Sequence, residues 1–287
     1  MVRVGGATVS ERSVAQNAQL ALLLEVSGTP KPGNVDRERE YDDLRFEHFM
    51  AGAVGARPGL DRAAAGDPVG PAFEAAVDGM ADQSGGNTQF GALLVLTPLA
   101  AAAADGRLSP SDVDAVVHET TVEDAAAFYR AFEHVDVAVD DPPDGLEPLD
   151  VRRGRDAIPE LRAREMTLFD VMQSSVDVDG VAAEWVSGFE RVFEASEWLL
   201  DGSGPVADRA SDVFIELLAA EPDTFIVTRQ DRETAEEVQR RAQAVLEGAE
   251  TATGLAEEFV ERDINPGTTA DLVAGALFVA LERGLEV

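Results

Sequence analysis

Residues 268–284 read Thr-Thr-Ala-Asp-Leu-Val-Ala-Gly-Ala-Leu-Phe-Val-Ala-Leu-Glu-Arg-Gly, a helical stretch that is apolar on nearly every face. A Pro266-Gly267 turn precedes it, and Thr268 and Asp271 stand at capping-box spacing. Outward from this stretch, alanine, leucine, glutamate and arginine recur at helical intervals along most of the chain. The spacing predicts helices near 10–26, 41–56, 71–81, 88–105, 109–117, 121–134, 165–175, 181–200, 206–220, 231–247, 251–262 and 268–284. Thr8 and Glu11 are spaced as a capping box for the first. Only Val135–Val139 and Phe225–Thr228 look β-like, and neither finds obvious partners. The expected fold is therefore all-α: a single multi-helix bundle forming one domain over residues 1–287, with its site at helix termini and connecting loops. Residues 140–159, rich in Asp, Pro, Gly and Arg, read as a long loop or lid.

The chain has 287 residues, 55 of them acidic and 23 basic, for a formal net charge of -32. Such a field repels phosphate backbones, so a nucleic-acid surface is not expected. The basic residues are 22 arginines and a single lysine, Lys31. Acidity spread along the chain, with lysine almost absent, resembles proteins of salt-loving archaea, where concentrated salt screens self-repulsion to a few ångströms or less. Without cysteine there are no disulfides, thiolate metal sites or cysteine nucleophiles, and three histidines leave little room for a multi-histidine metal site. No segment reads as a secretory signal. The most apolar run, Phe90 to Ala104, contains Pro98 and at about fifteen residues falls short of the ~20 that a membrane span needs. A cytoplasmic protein is expected.

Three segments break the alanine-rich pattern. The first, Glu25-Val-Ser-Gly-Thr-Pro-Lys-Pro-Gly-Asn-Val-Asp-Arg37, sets the one lysine between two prolines, with Gly33 allowing close approach of a ligand. A compact ammonium suits one phosphate oxygen; a rigid inter-helix turn is the plainer alternative. Glu25 shares a helical face with Val14, Ala18 and Ala21 and so points inward, where a carboxylate needs a cation such as Lys31, Arg37 or a metal. Tyr41, Asp42 and Asp43 read as the head of the next helix, with Asp42 on the face of Phe46, Phe49 and Ala53. With Asp36 they are the oxygen ligands that magnesium on a triphosphate uses, or simply first-turn acids. The second segment, Ser84-Gly-Gly-Asn-Thr-Gln-Phe-Gly91, leads into an apolar helix whose start offers free N–H groups to an anion. The third, Asn265-Pro-Gly-Thr-Thr-Ala-Asp271, repeats that arrangement, with Asp271 as a structural cap or a catalytic acid.

Together these segments resemble the triphosphoribosyl-dephospho-CoA synthase family. Glu25 with Pro30-Lys-Pro-Gly-Asn-Val-Asp36 is similar to its Pro-Lys-Pro-Gly signature, and Gly86-Asn-Thr to its Gly-x-Asn-Thr-His-Lys-Gly loop. Asp43-Leu44 falls where the family has His-x-Asp-Met; Asp223-Thr224 and Pro266-Gly267-Thr-Thr-Ala-Asp271 extend the likeness over nearly the whole chain. Three positions depart from it: Tyr41 and Gln89 stand in place of histidines and Phe90 in place of a lysine. The resemblance implies an all-helical transferase that breaks the adenine–ribose bond of ATP and passes the triphosphoribosyl group to a ribose hydroxyl of dephospho-CoA or a related acceptor, with Mg²⁺. It implies phosphate contacts from Lys31 and the loop Gly85, Gly86, Asn87 and Thr88, with Gly33, Gly267 and Thr268 as further nucleotide-binding residues. Asp36, Asp42 and Asp43 would hold the metal or stabilise developing charge, and Glu25 would orient Lys31 or act as base. Asn34, Asn87 and Asp271 would bind nucleotide hydroxyls or the base. A non-catalytic nucleotide-binding protein and a magnesium-dependent nucleotide glycosidase or hydrolase are the alternatives.

Overall fold

In a computed structural model, residues 12–104, 106, 108–142 and 145–287 are described. Helices α1 (Val14–Ser27), α2 (Phe46–Gly55), α3 (Arg57–Ala64), α4 (Val69–Met80), α5 (Phe90–Ala103), α6 (Pro110–His118) and α7 (Val122–Ala131) form the first half. After an irregular stretch come α8 (Ile158–Arg164), α9 (Leu168–Ser174), α10 (Gly180–Ser187), α11 (Glu190–Asp201) and α12 (Val206–Ala220). The chain closes with α13 (Thr224–Arg229), α14 (Arg232–Leu246), α15 (Ala252–Glu261) and α16 (Gly267–Glu282). No strand occurs among the described residues, and the fold is all-α.

Two apolar helices organise the bundle. α16 is buried almost throughout and packs on α1, α5, α11 and α12, while α5 packs on α16, α3, α4 and α6. One apolar cluster, rich in alanine, runs from Ala15 of α1 to Leu285 beyond α16. Pro98 sits inside α5, where its missing N–H leaves the Leu94 carbonyl without its helical donor. The indole Nε1–H of buried Trp185 on α10 donates to that carbonyl at 3.1 Å, so a tertiary contact repairs the helix.

Local chemistry explains where expectation and structure part. The Thr8–Glu11 box lies outside the described residues; α1 is capped by Ser13, which accepts from the Gln16 amide while the Gln16 side chain accepts from the Ser13 amide. The helix expected from residue 41 begins only at Phe46, so Asp42 and Asp43 are exposed on a bend and Asp42 joins no apolar face. α3 was not anticipated as a separate helix. The helix expected over 181–200 breaks into α10 and α11 at Gly188 and Phe189, both in the left-handed region. Phe225–Thr228 belongs to α13, because the Asp223 carboxylate accepts from the Ile226 amide and starts a helical turn despite β-prone side chains. The expected loop at 140–159 contains two 3₁₀ segments, Glu147–Leu149 and Val151–Ala157, and the first residues of α8. Tyr129 Oη fastens it by donating to the Leu149 carbonyl at 2.5 Å.

Candidate active site

The first turn folds inward. Lys31 is fully buried, with Nζ donating to Glu25 in a short ion pair and to Asn34 Oδ1 at 2.8 Å. The Phe214 ring lies 5.8 Å from the ammonium. Glu25 points inward, as its register requires, and burial raises its pKa against the downward pull of Lys31. Asp36 is buried and saturated: Oδ2 accepts from Thr29 Oγ1 at 2.8 Å and the Lys31 amide at 3.1 Å, Oδ1 from the amides of Glu38 and Arg39. It organises the turn and has little left to offer a metal. Asn34 Nδ2 donates to Asn265 Oδ1 at 2.9 Å, and Tyr41 Oη to the Gly33 carbonyl at 2.5 Å, so the first segment is tied to the third. Gly33 has φ +76 and lies so close to the Ile264 carbonyl that a Cβ would sit 2.1 Å from it.

Asp271 departs from the local cap that its spacing suggests. α16 begins after Pro266, and Thr268 Oγ1 meets Thr224 Oγ1 at 3.0 Å and accepts from the Phe225 amide instead. The Asp271 carboxylate is aimed at the start of α5, so close to Gly91 that a Cβ there would lie 2.0 Å from Oδ2. Only glycine leaves room for it. The Asp271 pKa is raised well above the ordinary aspartate range, first by burial and then by the charges of Glu25, Asp223 and Asp179, while the Ala92 amide opposes the shift. Glu25 of the first segment thus acts electrostatically on Asp271 of the third.

The glycine loop is divided. Gly85 packs on the His48 ring, and Thr88 Oγ1 and the Gln89 side-chain amide are buried with no hydrogen-bond partner among the described residues. Asn87 Oδ1 accepts from the Phe90 amide at 3.0 Å. Phe90 turns into an aromatic group, 4.9 Å from Phe132 and 5.1 Å from Phe73 between ring centroids.

Two adjoining chambers lie at these helix ends. The first, of about 210 Å³, is walled by aromatic rings, among them Phe90, Phe128, Phe132 and Phe225, and by the carboxylates of Asp140, Asp141, Asp150, Asp179 and Asp271. Among the described residues no lysine, arginine or histidine lines it. Thr228 Oγ1 donates to Asp140 at 2.8 Å across its rim. The second, of about 250 Å³, is bordered by Arg191 and Arg232 and shares Asp179, Thr224 and Thr268 with the first. Asp179, exposed at the shared rim, caps α10 by accepting from the Ala182 amide at 2.7 Å, and desolvation by the atoms packed around its carboxyl raises its pKa.

Of the residues singled out in the sequence, Asn87, Thr268 and Asp271 meet in the first chamber. Glu25, Lys31, Gly33, Asn34 and Asp36 form a buried layer that lines neither chamber, and Gly85, Gly86, Thr88 and Gly267 also stand outside the walls. Asp42 and Asp43 are exposed. Among the described residues no three acidic, histidine or cysteine side chains cluster as a metal site. Asp36, Asp42 and Asp43 therefore do not fit as a resident magnesium site. Sequence reasoning missed Asp179, Phe128, Phe132, Arg191 and Arg232. Asp179-Gly180 ahead of an apolar run was the one available signal, a helix start like many others.

The helical scaffold thus sets two adjoining chambers at its helix ends. The chain belongs to the ATP:dephospho-CoA triphosphoribosyl transferase family, CitG, whose sequence model matches residues 11–286. Its fold is similar to that of a crystal structure described as a triphosphoribosyl-dephospho-CoA synthase from Archaeoglobus fulgidus. The TM-score is 0.66 at 24% identity, covering 83% of this chain and 100% of that one. No curated protein matches the chain.

Proposed function

We propose that the aromatic chamber holds the adenine end of ATP, and that Asp271 gives the departing base its proton while Asp179 takes the proton of the attacking hydroxyl. The family activity is triphosphoribosyl transfer from ATP to dephospho-CoA. The acceptor oxygen bonds to the ribose carbon, the carbon–nitrogen bond to adenine breaks, and its electron pair leaves with the base. Purines leave poorly as anions, so a neutral carboxylic acid at the base is worth roughly 10²–10⁴ in rate. The observation that carries this reading is Asp271 itself: an acid opening on an aromatic chamber without cations, held toward its protonated form by burial and three neighbouring carboxylates. Developing positive charge on the sugar is favoured by the same acidic walls.

Magnesium arrives as part of the ATP substrate in this account, with one or two carboxylates and the phosphate oxygens as ligands. No described helix is long and apolar enough to cross a membrane. We place the chain in the cytoplasm of a salt-accumulating cell, on its charge of -32 and single lysine.

The test is adenine release from Mg·ATP with dephospho-CoA in molar KCl. Asp271→Asn keeps the shape and loses the acid, and its rate is expected to fall ~10²-fold or more. An unchanged rate would remove Asp271 from the chemistry. Adenine release without acceptor would instead mark a glycosidase, and ATP binding without any product a nucleotide-binding protein.

A further inference from the structure

A triphosphate needs cations, and the described residues lining the aromatic chamber supply none. Lys31 cannot supply one, because its ammonium is fully buried and already held by Glu25 and Asn34. The cations that border the cleft are Arg191 and Arg232 in the adjoining chamber, across the shared wall of Asp179, Thr224 and Thr268. They differ in freedom. Arg191 is committed, with Nε donating to buried Glu184 at 2.7 Å, Nη1 to Glu221 at 3.0 Å and Nη2 to the Gly180 carbonyl at 2.9 Å. Arg232, the first residue of α14, is exposed and forms no ion pair among the described residues, in a chain where acids outnumber bases 55 to 23.

The geometry points to the second chamber as the polyphosphate subsite of the transfer site, with Arg232 as its free cationic ligand and Arg191, held by Glu184 and Glu221, as part of its fixed wall. The inference rests on the reading above that the first chamber takes the base. Two of the chamber's acids are already used: Asp223 accepts from the Thr269 amide and hydroxyl, each at 2.7 Å, and Glu221 from Arg191. Asp179 caps α10 and is assigned to the attacking hydroxyl, which leaves Asp177, within the one or two carboxylates that magnesium carried on a triphosphate calls for. A ribose bridging the shared wall would lie beside Asp179, with base and phosphates on opposite sides.

Titration calorimetry with Mg·tripolyphosphate, Mg·ATP and adenosine separates the subsites. Arg232→Ala, at an exposed helix start, should keep the wild-type Tm and adenosine affinity. It should bind both phosphate probes ~10-fold or more weakly, the loss of one charge-assisted contact. Arg232→Lys should recover part of the loss, since the charge survives and the planar fork does not. Equal affinity of wild type and Arg232→Ala for Mg·tripolyphosphate and Mg·ATP would overturn the assignment, whether or not adenine is released. Weakened phosphate binding in a protein that never releases adenine would uphold the subsite and defeat the catalytic reading instead.

Discussion

Asp271 owes its proposed chemical role to its neighbours. Glycine at position 91 lets the carboxylate approach the start of α5, while burial and the charges of Glu25, Asp223 and Asp179 favour its protonated form. An acid with a raised pKa in the folded state binds its proton more tightly there than in the unfolded chain. Its contribution to stability is fully present below the unfolded pKa and is lost as pH rises through the folded one. Asp271→Asn should therefore raise Tm by a few degrees at neutral pH while slowing adenine release ~10²-fold or more, and the gain should vanish in acid; calorimetric scans across pH check this. Catalysis should fall on the alkaline side as Asp271 loses its proton, and that limb should be absent from the residual rate of Asp271→Asn. Lys31 illustrates the opposite case. As a lone lysine between prolines it reads as a phosphate ligand, yet the structure uses its compact ammonium to neutralise Glu25 inside the core. Lys31→Ala leaves that carboxylate unpaired and should cost about 3–5 kcal/mol in denaturant unfolding. A variant of wild-type stability with weakened ATP binding would return Lys31 to the phosphates.

Among the elements, α5 and α16 carry the architecture. The sequence marks α16 as apolar on nearly every face and α5 as the most apolar run, and both pack inside the bundle. Pro98 makes α5 depend on α10 through Trp185. Trp185→Phe keeps most of the packing but leaves the Leu94 carbonyl without a donor, and should destabilise by about 1–3 kcal/mol in urea titration. The breaks between elements were less legible. Phe189 in a left-handed conformation splits what reads as one helix into α10 and α11, and a buried aromatic carries no local sign of that turn. α13 hides in a run of Phe, Ile, Val and Thr, because the Asp223 cap outweighs their preference for strands. The inward register of Glu25 was readable, since helical periodicity alone decides it. The cleft was not: its walls come from α5, α7, α9, α10, α13 and α16, and no local pattern announces that Phe128, Asp179 and Asp271 will meet.

At the scale of the whole molecule, charge dominates behaviour. A net charge of -32 on a 287-residue chain opposes compaction unless salt screens it. Arginines bound to two or more acids, such as Arg241 between Glu250 and Glu258, offset only part of that repulsion. Tm should climb steadily from ~0.1 M to molar KCl as the Debye length falls from about 10 Å to about 3 Å; a flat or falling Tm would separate the acidity from salt adaptation. The same field keeps a second polyanion away from the cleft at low salt, so ATP affinity should improve over the same range. The proposed catalysis turns on a proton held in an aromatic chamber and given to a departing purine. Mass spectrometry of a reaction containing the chain, Mg·ATP and dephospho-CoA in molar KCl tests it most directly. Free adenine and triphosphoribosyl-dephospho-CoA are expected in equal amounts from the wild type and only in traces from Asp271→Asn, whereas equal yields from the two proteins would contradict it.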